Sequence, residues 1–296
     1  MKAIPNGGRI FLFCSGENTG GIYSTPATDG ANWSLMAWNL NMPVPANVAE
    51  NVVAMKNSIY LYANGLILRS TDGMNWETTG HAELHRLVAA SSTKLYALDE
   101  GDNLISSSDE GVTWVTEQLD TTSSLLPTTD LSFICTPSRV DEDTEIITLI
   151  GNRSEGDYPG DTQAQVWSKI VDYSIFSTHD PWMYVNPNDM ASRMLPRLSS
   201  LTIVNYDKGI IAAGGKGRGA CQEEGFQHFY YSNDGGVYWN HSATCFFPEG
   251  FECGDVFTMA KDSDNYLWLF CGQSGQVWKG RKGAYSGEEI PTSFTK

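Results

Sequence analysis

Hydrophobic and polar residues alternate with a period of two along most of the chain, in runs rich in Val, Ile, Leu and aromatic residues that are punctuated by Gly, Asn and Asp. No window of comparable length keeps an apolar stripe of period 3.6, so the pattern predicts strands and hairpins rather than helices. Six segments repeat one plan of strand, polar or Gly-rich turn, and strand: RIFLFCSGENTGGIYS (9–24), SIYLYANGLILRS (58–70), KLYALDEGDNLISS (94–107), EIITLIGNRSEGDYPGDTQAQVWSK (145–169), KGIIAAGGKGRGACQEEGFQHFYYS (208–232) and NYLWLFCGQSGQVWKG (265–280). Their starts lie 49, 36, 51, 63 and 57 residues apart, so six copies occupy the 296 residues and leave no room for another domain. Every copy after the first follows a further alternating run: ENVVAM (50–55), LHRLVAA (84–90), LSFICT (131–136), LSSLTIV (198–204) and DVFTMA (255–260). The expectation is an all-β protein, one domain over 1–296, with repeat cores near 9–40, 50–80, 84–120, 131–185, 198–243 and 255–296.

In several copies the second strand runs into a short signature. Ser107, Asp109, Gly111 and Trp114, and again Ser232, Asp234, Gly236 and Trp239, have the spacing S-x-D-x-G-x-x-W. Ser70, Asp72, Gly73 and Trp76 form a version one residue shorter, and Asp29, Gly30 and Trp33 lack the leading Ser. The fourth copy keeps only Asp180 and Trp182, and the sixth, KGRKGAYSG (279–287), has lost both Asp and Trp. The signature resembles the Asp-box, or BNR repeat, of sialidase-like β-propellers. Its spacing has a structural reason: the carboxylate accepts backbone N–H groups two or three residues ahead, Gly supplies a positive φ, and Trp packs between sheets. These Asp residues therefore read as turn builders, and no catalytic or metal-binding role is needed to explain them.

On that resemblance the chain is a six-bladed β-propeller with four-stranded antiparallel blades, an arrangement that removes exposed sheet edges by radial closure. The first copy has no clear inner strand before Arg9, so either the C-terminal EIPTSFTK (289–296) or the opening MKAI is expected to supply it. The stretches 195–217 and 261–283 resemble the C-terminal propeller of surface lipoproteins from Bacteroides and relatives. That resemblance implies export to the cell surface or periplasm as part of a longer protein with a lipid anchor at an N-terminal Cys. Here the first Cys is Cys14, inside a predicted strand, and the opening residues do not read as a signal.

Charge narrows the partners. With 19 basic and 35 acidic residues the net charge is −16, which argues against a phosphate-binding surface and so against nucleic acid. No run reaches the roughly 18 apolar residues of a membrane-spanning helix. The 6 Cys are too few for a disulfide scaffold, and no CxxC or His–Cys spacing suggests zinc, so no metal and no cofactor is expected. Cys14, Cys135 and Cys271 read as buried strand thiols. Cys245 and Cys253, across the loop FFPEGFE, are the disulfide candidate if the protein is exported, with free thiols as the alternative. Asp262 and Asp264 in KDSDNY read as a β-turn rather than a calcium site.

A binding site is expected on the face opposite the Asp turns. Long loops at 151–165 and 214–227 and the connector 186–197 bring Asp157, Tyr158, Asp161, Arg193, Arg218, Glu223 and Glu224 there. Inner strands should begin on that same face at Glu50, Arg86, Asp130, Arg197 and Asp255, alternating in sign around a channel mouth and suited to a polar or carboxylate ligand. A plainer account has these groups pairing with one another or with water. A sialidase would need three arginines on the sugar carboxylate, a Tyr–Glu pair and an acid, besides a Phe/Tyr-Arg-Ile-Pro element. The chain has IPNGGRIFLF instead, with only Arg86 and Arg197 as cluster members. None of His81, His85, His179, His228 and His241 lies in a nucleophile motif. The reading is a monomeric, non-catalytic, extracellular or surface propeller that binds a glycan or protein through its loop face. The alternatives are a sialidase-like or other glycoside hydrolase with its site at the channel mouth, and a structural or assembly subunit.

Overall fold

A computed structural model describes residues 1–29, 32–117, 129–137, 144–152, 165–172, 183–184, 197–198, 202–206, 209–213, 217–218, 230–232, 257–262, 264, 266–271, 274–281 and 293–295. The chain divides into two compact units, Met1–Glu117 and Gln118–Lys296. Among the described residues no helix is long and apolar enough to cross a membrane.

The first unit holds three antiparallel four-stranded sheets built in chain order. They are β1 (Lys2–Asn6), β2 (Arg9–Cys14), β3 (Gly21–Pro26) and β4 (Ser34–Leu35); β5 (Val52–Met55), β6 (Ser58–Ala63), β7 (Leu66–Ser70) and β8 (Glu77–His81); and β9 (Leu84–Ala90), β10 (Leu95–Asp99), β11 (Leu104–Ser107) and β12 (Val115–Thr116). Each strand pairs with its sequence neighbour, as in Val52↔Leu61 through Met55↔Ser58. The first strands of the sheets, β1, β5 and β9, lie side by side.

Why the middle strands read as almost unbroken apolar runs is visible in the second sheet, which is buried on both faces. Val52, Ile59, Leu61 and Leu68 join one core with Ile4, Phe11, Phe13 and Ile22 of the first sheet. Their strand neighbours Val53, Tyr60 and Ile67 join another core with Leu84, Leu87, Leu95, Ala97 and Ile105 of the third. Successive side chains point to opposite faces of a strand, so both must be apolar when a sheet stands on either side. Complete burial of Ile59 or Leu61 contributes about 1.5–3 kcal/mol each. The connector after β4 continues this logic outside any strand: Met36, Trp38, Leu40, Met42 and Val44 alternate with exposed residues and pack onto the first core. Asn39 Oδ1 there accepts the Trp76 amide at 2.9 Å, and the Trp38 and Trp76 rings lie 5.5 Å apart.

In the second unit, β13 (Thr129–Pro137), β14 (Thr144–Asn152), β15 (Gln165–Asp172) and β16 (Met183–Tyr184) form a four-stranded sheet. β17 (Arg197–Leu198) and β20 (Gly217–Arg218) form a pair, while β18 (Thr202–Tyr206), β19 (Gly209–Ala213) and β21 (Tyr230–Ser232) form a three-stranded sheet. β22 (Phe257–Lys261), β23 (Tyr266–Cys271), β24 (Val277–Arg281) and β25 (Ser293–Thr295) complete a further four-stranded sheet. Here too the first long strands, β13, β18 and β22, are neighbours.

Two expectations are corrected and one choice is resolved. Six sheets of four strands are not what the described residues show: the fifth repeat has three strands in its sheet, and residues 233–256 lie outside the described set. The run 198–204 is not one strand, because β17 pairs with β20, a strand inside the span read as a long loop. The opening segment, not the C-terminus, supplies the first strand of the first sheet, with Asn6↔Arg9 closing a two-residue turn on Gly7 and Gly8 at φ 56° and 74°. The C-terminal β25 instead pairs with β24 as the fourth strand of the last sheet.

Candidate functional site

The Ser–Asp–Gly–Trp turns at Asp72 and Asp109 link the third strand to the fourth, and their carboxylates are engaged by backbone amides and side chains of their own turns. Asp72 Oδ1 accepts the amides of Met74 and Asn75, both at 2.8 Å, while Oδ2 accepts Asn75 Nδ2 at 2.7 Å. Ser70 Oγ accepts the Gly73 amide at 2.8 Å, and Trp76 Nε1 donates to Gly73 O at 3.3 Å. The next turn repeats the plan: Asp109 Oδ1 accepts the Thr113 amide at 2.8 Å, its Oδ2 accepts Thr113 Oγ1 at 2.7 Å, Gly111 donates to Ser107 Oγ at 2.8 Å, and Trp114 Nε1 donates to Gly111 O at 3.1 Å. These hydrogen bonds favour the ionised form and hold both carboxyl groups at about 2, well below their ordinary range. In the first sheet Asp29 Oδ2 accepts Asn32 Nδ2 at 2.9 Å, and Trp33 is half-buried.

At this same end Arg69 lies between Glu77 at 3.7 Å and Glu110 at 3.6 Å. Burial, then the Glu110 carboxylate, pushes the neighbouring Tyr60 phenol up to about 12, so it stays a neutral donor. A groove of about 570 Å³, lined by Arg9, Phe11, Leu35, Met36, Asp72 and Met74 among others, opens between the first two sheets.

The opposite end of the sheets, where the first strands begin, carries a mixed-sign group. Glu50 closes a 3₁₀ turn, Val48–Glu50, whose buried Val48 and Ala49 anchor it to the core. Its Oε2 lies 3.2 Å from Arg86 Nη2 of β9, with the two side chains 53% and 23% exposed. Next to it, buried Asn51 fastens neighbouring sheets: its Oδ1 accepts the Leu87 amide at 3.0 Å and its backbone O accepts the Tyr62 amide at 2.9 Å. The Tyr62 hydroxyl in turn accepts the Leu84 amide at 3.2 Å. His85 Nδ1 pairs with Asp102 Oδ1, both groups more than half exposed. Lys2, the first residue of β1, is half-buried and is pushed down to about 8 by burial and by the Arg86 guanidinium.

Of the predicted ligand residues, the structure brings Glu50 and Arg86 together, as the plainer account has it. Asp130 lies in β13, and Arg197 is the register partner of Arg218. Asp157, Tyr158, Arg193, Asp255, Asp234, Gly236, Trp239, Cys245 and Cys253 lie outside the described residues, while Ser232 ends β21 and is buried. Cys14 is a half-buried free thiol that burial pushes up. Asp262 is buried in a turn, its Oδ1 accepting the Asp264 and Tyr266 amides at 3.0 and 2.9 Å and its Oδ2 accepting Trp268 Nε1 at 2.7 Å. No group of three or more His, Cys, Asp or Glu among the described residues is placed to hold a metal ion. Sequence reasoning missed Lys2, because the pattern shows no clear strand before Arg9, and Asn51, whose bond to Leu87 spans 36 residues.

Within each unit, antiparallel sheets whose first long strands are neighbours, with the later strands following in order away from them, give the arrangement of a β-propeller. The particular family follows from the sequence: residues 1–286 match the DUF6242 beta propeller domain, and the chain belongs to that family. No curated protein sequence matches it. Among solved structures, a GH74 xyloglucanase from Xanthomonas campestris is similar at TM-score 0.50 and 13% identity, over 97% of this chain and 45% of its own. The chain thus spans under half of that enzyme. A structure described as YCF48 bound to D1 peptide is similar at TM-score 0.51 and 15% identity, over 97% of this chain and 79% of that one. A mutant Trypanosoma rangeli sialidase is similar at TM-score 0.49 and 12% identity, over 95% of this chain and 52% of its own. At these identities the likeness is one of fold.

Proposed function

We propose that the chain is a monomeric, non-catalytic, six-bladed propeller that binds a glycan or protein ligand at the end where its first strands begin. The observation that carries this reading is the mixed-sign group of Lys2, Glu50 and Arg86 at that end, set against Asp72 and Asp109, whose oxygens are committed to their own turns. Six blades in one domain rest on the six-fold sequence repeat, and the signature turns are read as Asp-boxes from their hydrogen bonds. Attachment to a cell surface within a longer lipoprotein rests on the family resemblance. A fold shared with a xyloglucanase and with a peptide-bound protein does not choose between sugar and protein. The test is a glycan array and a partner pull-down run beside a panel of fluorogenic glycosides. Binding without turnover, weakened by Arg86→Ala, is the expected result; turnover abolished by Arg86→Ala or Arg197→Ala would replace the reading with a hydrolase.

A further inference from the structure

We propose that the groove between the first two sheets binds a small monocarboxylate with an apolar tail, the carboxylate on Arg9 and the tail along Leu35, Met36 and Met74. The site lies at the end of the sheets that carries the Ser–Asp–Gly–Trp turns, so it is independent of the glycan or protein reading above. Its volume of about 570 Å³ falls within the roughly 300–1,000 Å³ of small-molecule sites. Distant parts of the chain form its walls: Arg9 of β2, Leu35 of β4 and the following Met36 on one side, Asp72 and Met74 of the β7–β8 turn on the other. Asn6 Nδ2 donates to Thr71 O at 3.0 Å between the two walls, which fixes their spacing. Leu35 and Met74 are 68% and 42% exposed, so each wall presents a large apolar side chain to solvent. Apolar groups left open in this way gain free energy when a tail covers them.

Arg9 supplies the cation. Its Nε and Nη2 both donate to Ser24 Oγ, at 3.2 and 2.7 Å, and the buried Ser24 hydroxyl in turn donates to Met36 Sδ. Two donors on one oxygen hold the guanidinium in place and use the edge shared by Nε and Nη2. The edge shared by Nη1 and Nη2 keeps one N–H on each nitrogen, the fork that a carboxylate accepts with both oxygens. Among the described residues no carboxylate pairs with Arg9. The other charged group on the groove is Asp72, whose oxygens accept the Ser70 hydroxyl, the Met74 and Asn75 amides and Asn75 Nδ2. Its negative charge offsets that of Arg9, so the lining is neutral before a ligand enters. A dianion would meet Asp72 and the field of a −16 chain with one cation to hold it, which favours a single carboxylate. The tail supplies the remaining affinity, each fully buried CH₂ lowering the half-saturation concentration by up to about fourfold.

The experiment is a titration of the full chain, labelled with ¹³C at the methionine methyls, with sodium octanoate and in parallel with octan-1-ol and sodium acetate near pH 7. Met36→Leu and Met74→Leu assign the two signals that matter. Octanoate is expected to move both saturably. Octanol, which has the tail without the charge, should half-saturate roughly tenfold higher or more, as loss of a charged hydrogen bond requires. Acetate, which has the charge without the tail, should move neither over the same range. Arg9→Gln should raise the octanoate half-saturation roughly tenfold and leave that of octanol unchanged. Arg9 also holds Ser24, so exposed Leu35→Glu gives a second arm that spares the fold: a carboxylate on the wall competes for Arg9 and should weaken octanoate roughly tenfold. The proposal is overturned if neither methyl shifts saturably, if octanol or acetate matches octanoate, or if Leu35→Glu binds octanoate as the native chain does. Glycan or protein binding at the opposite end bears on the earlier reading alone, and the octanoate response on this one alone.

Discussion

Asn51 Oδ1 accepts the amide of Leu87 at 3.0 Å, joining the second sheet to the first strand of the third across a buried position. Asn51→Leu leaves that amide without a partner and should destabilise the protein by about 1–3 kcal/mol. Asn51→Asp keeps an acceptor and should recover much of the loss. Urea unfolding of both variants, with exposed Glu83→Gln as the control, checks this.

Gly73 and Gly111 are held at φ 72° and 92°, and each turn presses on the preceding sheet. A Cβ at Gly73 would collide with the Phe11 ring, and one at Gly111 would come within 2.7 Å of Ile67 Cγ1. Gly8, at φ 74°, has open space around it. Gly8→Ala should therefore cost only the left-handed backbone penalty, about 1–2 kcal/mol, while Gly73→Ala and Gly111→Ala cost clearly more. Equal melting temperatures for the three variants would show that the sheets do not pack as described.

Asp72 and Asp109 are held at about 2, against an ordinary value of 3.8. A depressed folded-state value means the unfolded chain takes up protons first. The stabilisation is therefore complete above pH 3.8 and is lost as the pH falls from there toward 2. Melting temperature should drop through this window, and Asp72→Asn with Asp109→Asn should flatten the drop while lowering stability at neutral pH. Calorimetry from pH 7 to pH 2 reads both effects.

Thr25 Oγ1 is buried in β3 and has no hydrogen-bond partner among the described residues. Thr25→Val removes the stranded hydroxyl at nearly constant shape and should raise stability by about 1 kcal/mol. Lower stability in the same urea assay would mean that the hydroxyl has a partner after all.

Cys14 is half-buried, and burial favours its thiol over the thiolate. Iodoacetamide at neutral pH should modify it more slowly than a free cysteine, with the rate becoming ordinary in denaturant. Mass-spectrometric mapping of the alkylated site distinguishes it from the other thiols.

Local chemistry determined much of this protein before any coordinates. Period-two alternation on both faces of the middle strands, as in Val52–Val53 and Ile59–Tyr60–Leu61, marks sheets buried on either side, because strand geometry sends consecutive side chains in opposite directions. The turns at Asp72 and Asp109 were equally legible, since the hydrogen bonds described for those two carboxylates lie within four residues. Tertiary structure alone decided what joins distant parts of the chain. It paired the Pro-containing opening segment with β2, placed β17 beside β20, and set Asn51 against Leu87. No repeating pattern encodes those encounters. They depend on which sheet edges the packed cores bring within reach of a hydrogen bond or a charge, and that is a property of the folded chain.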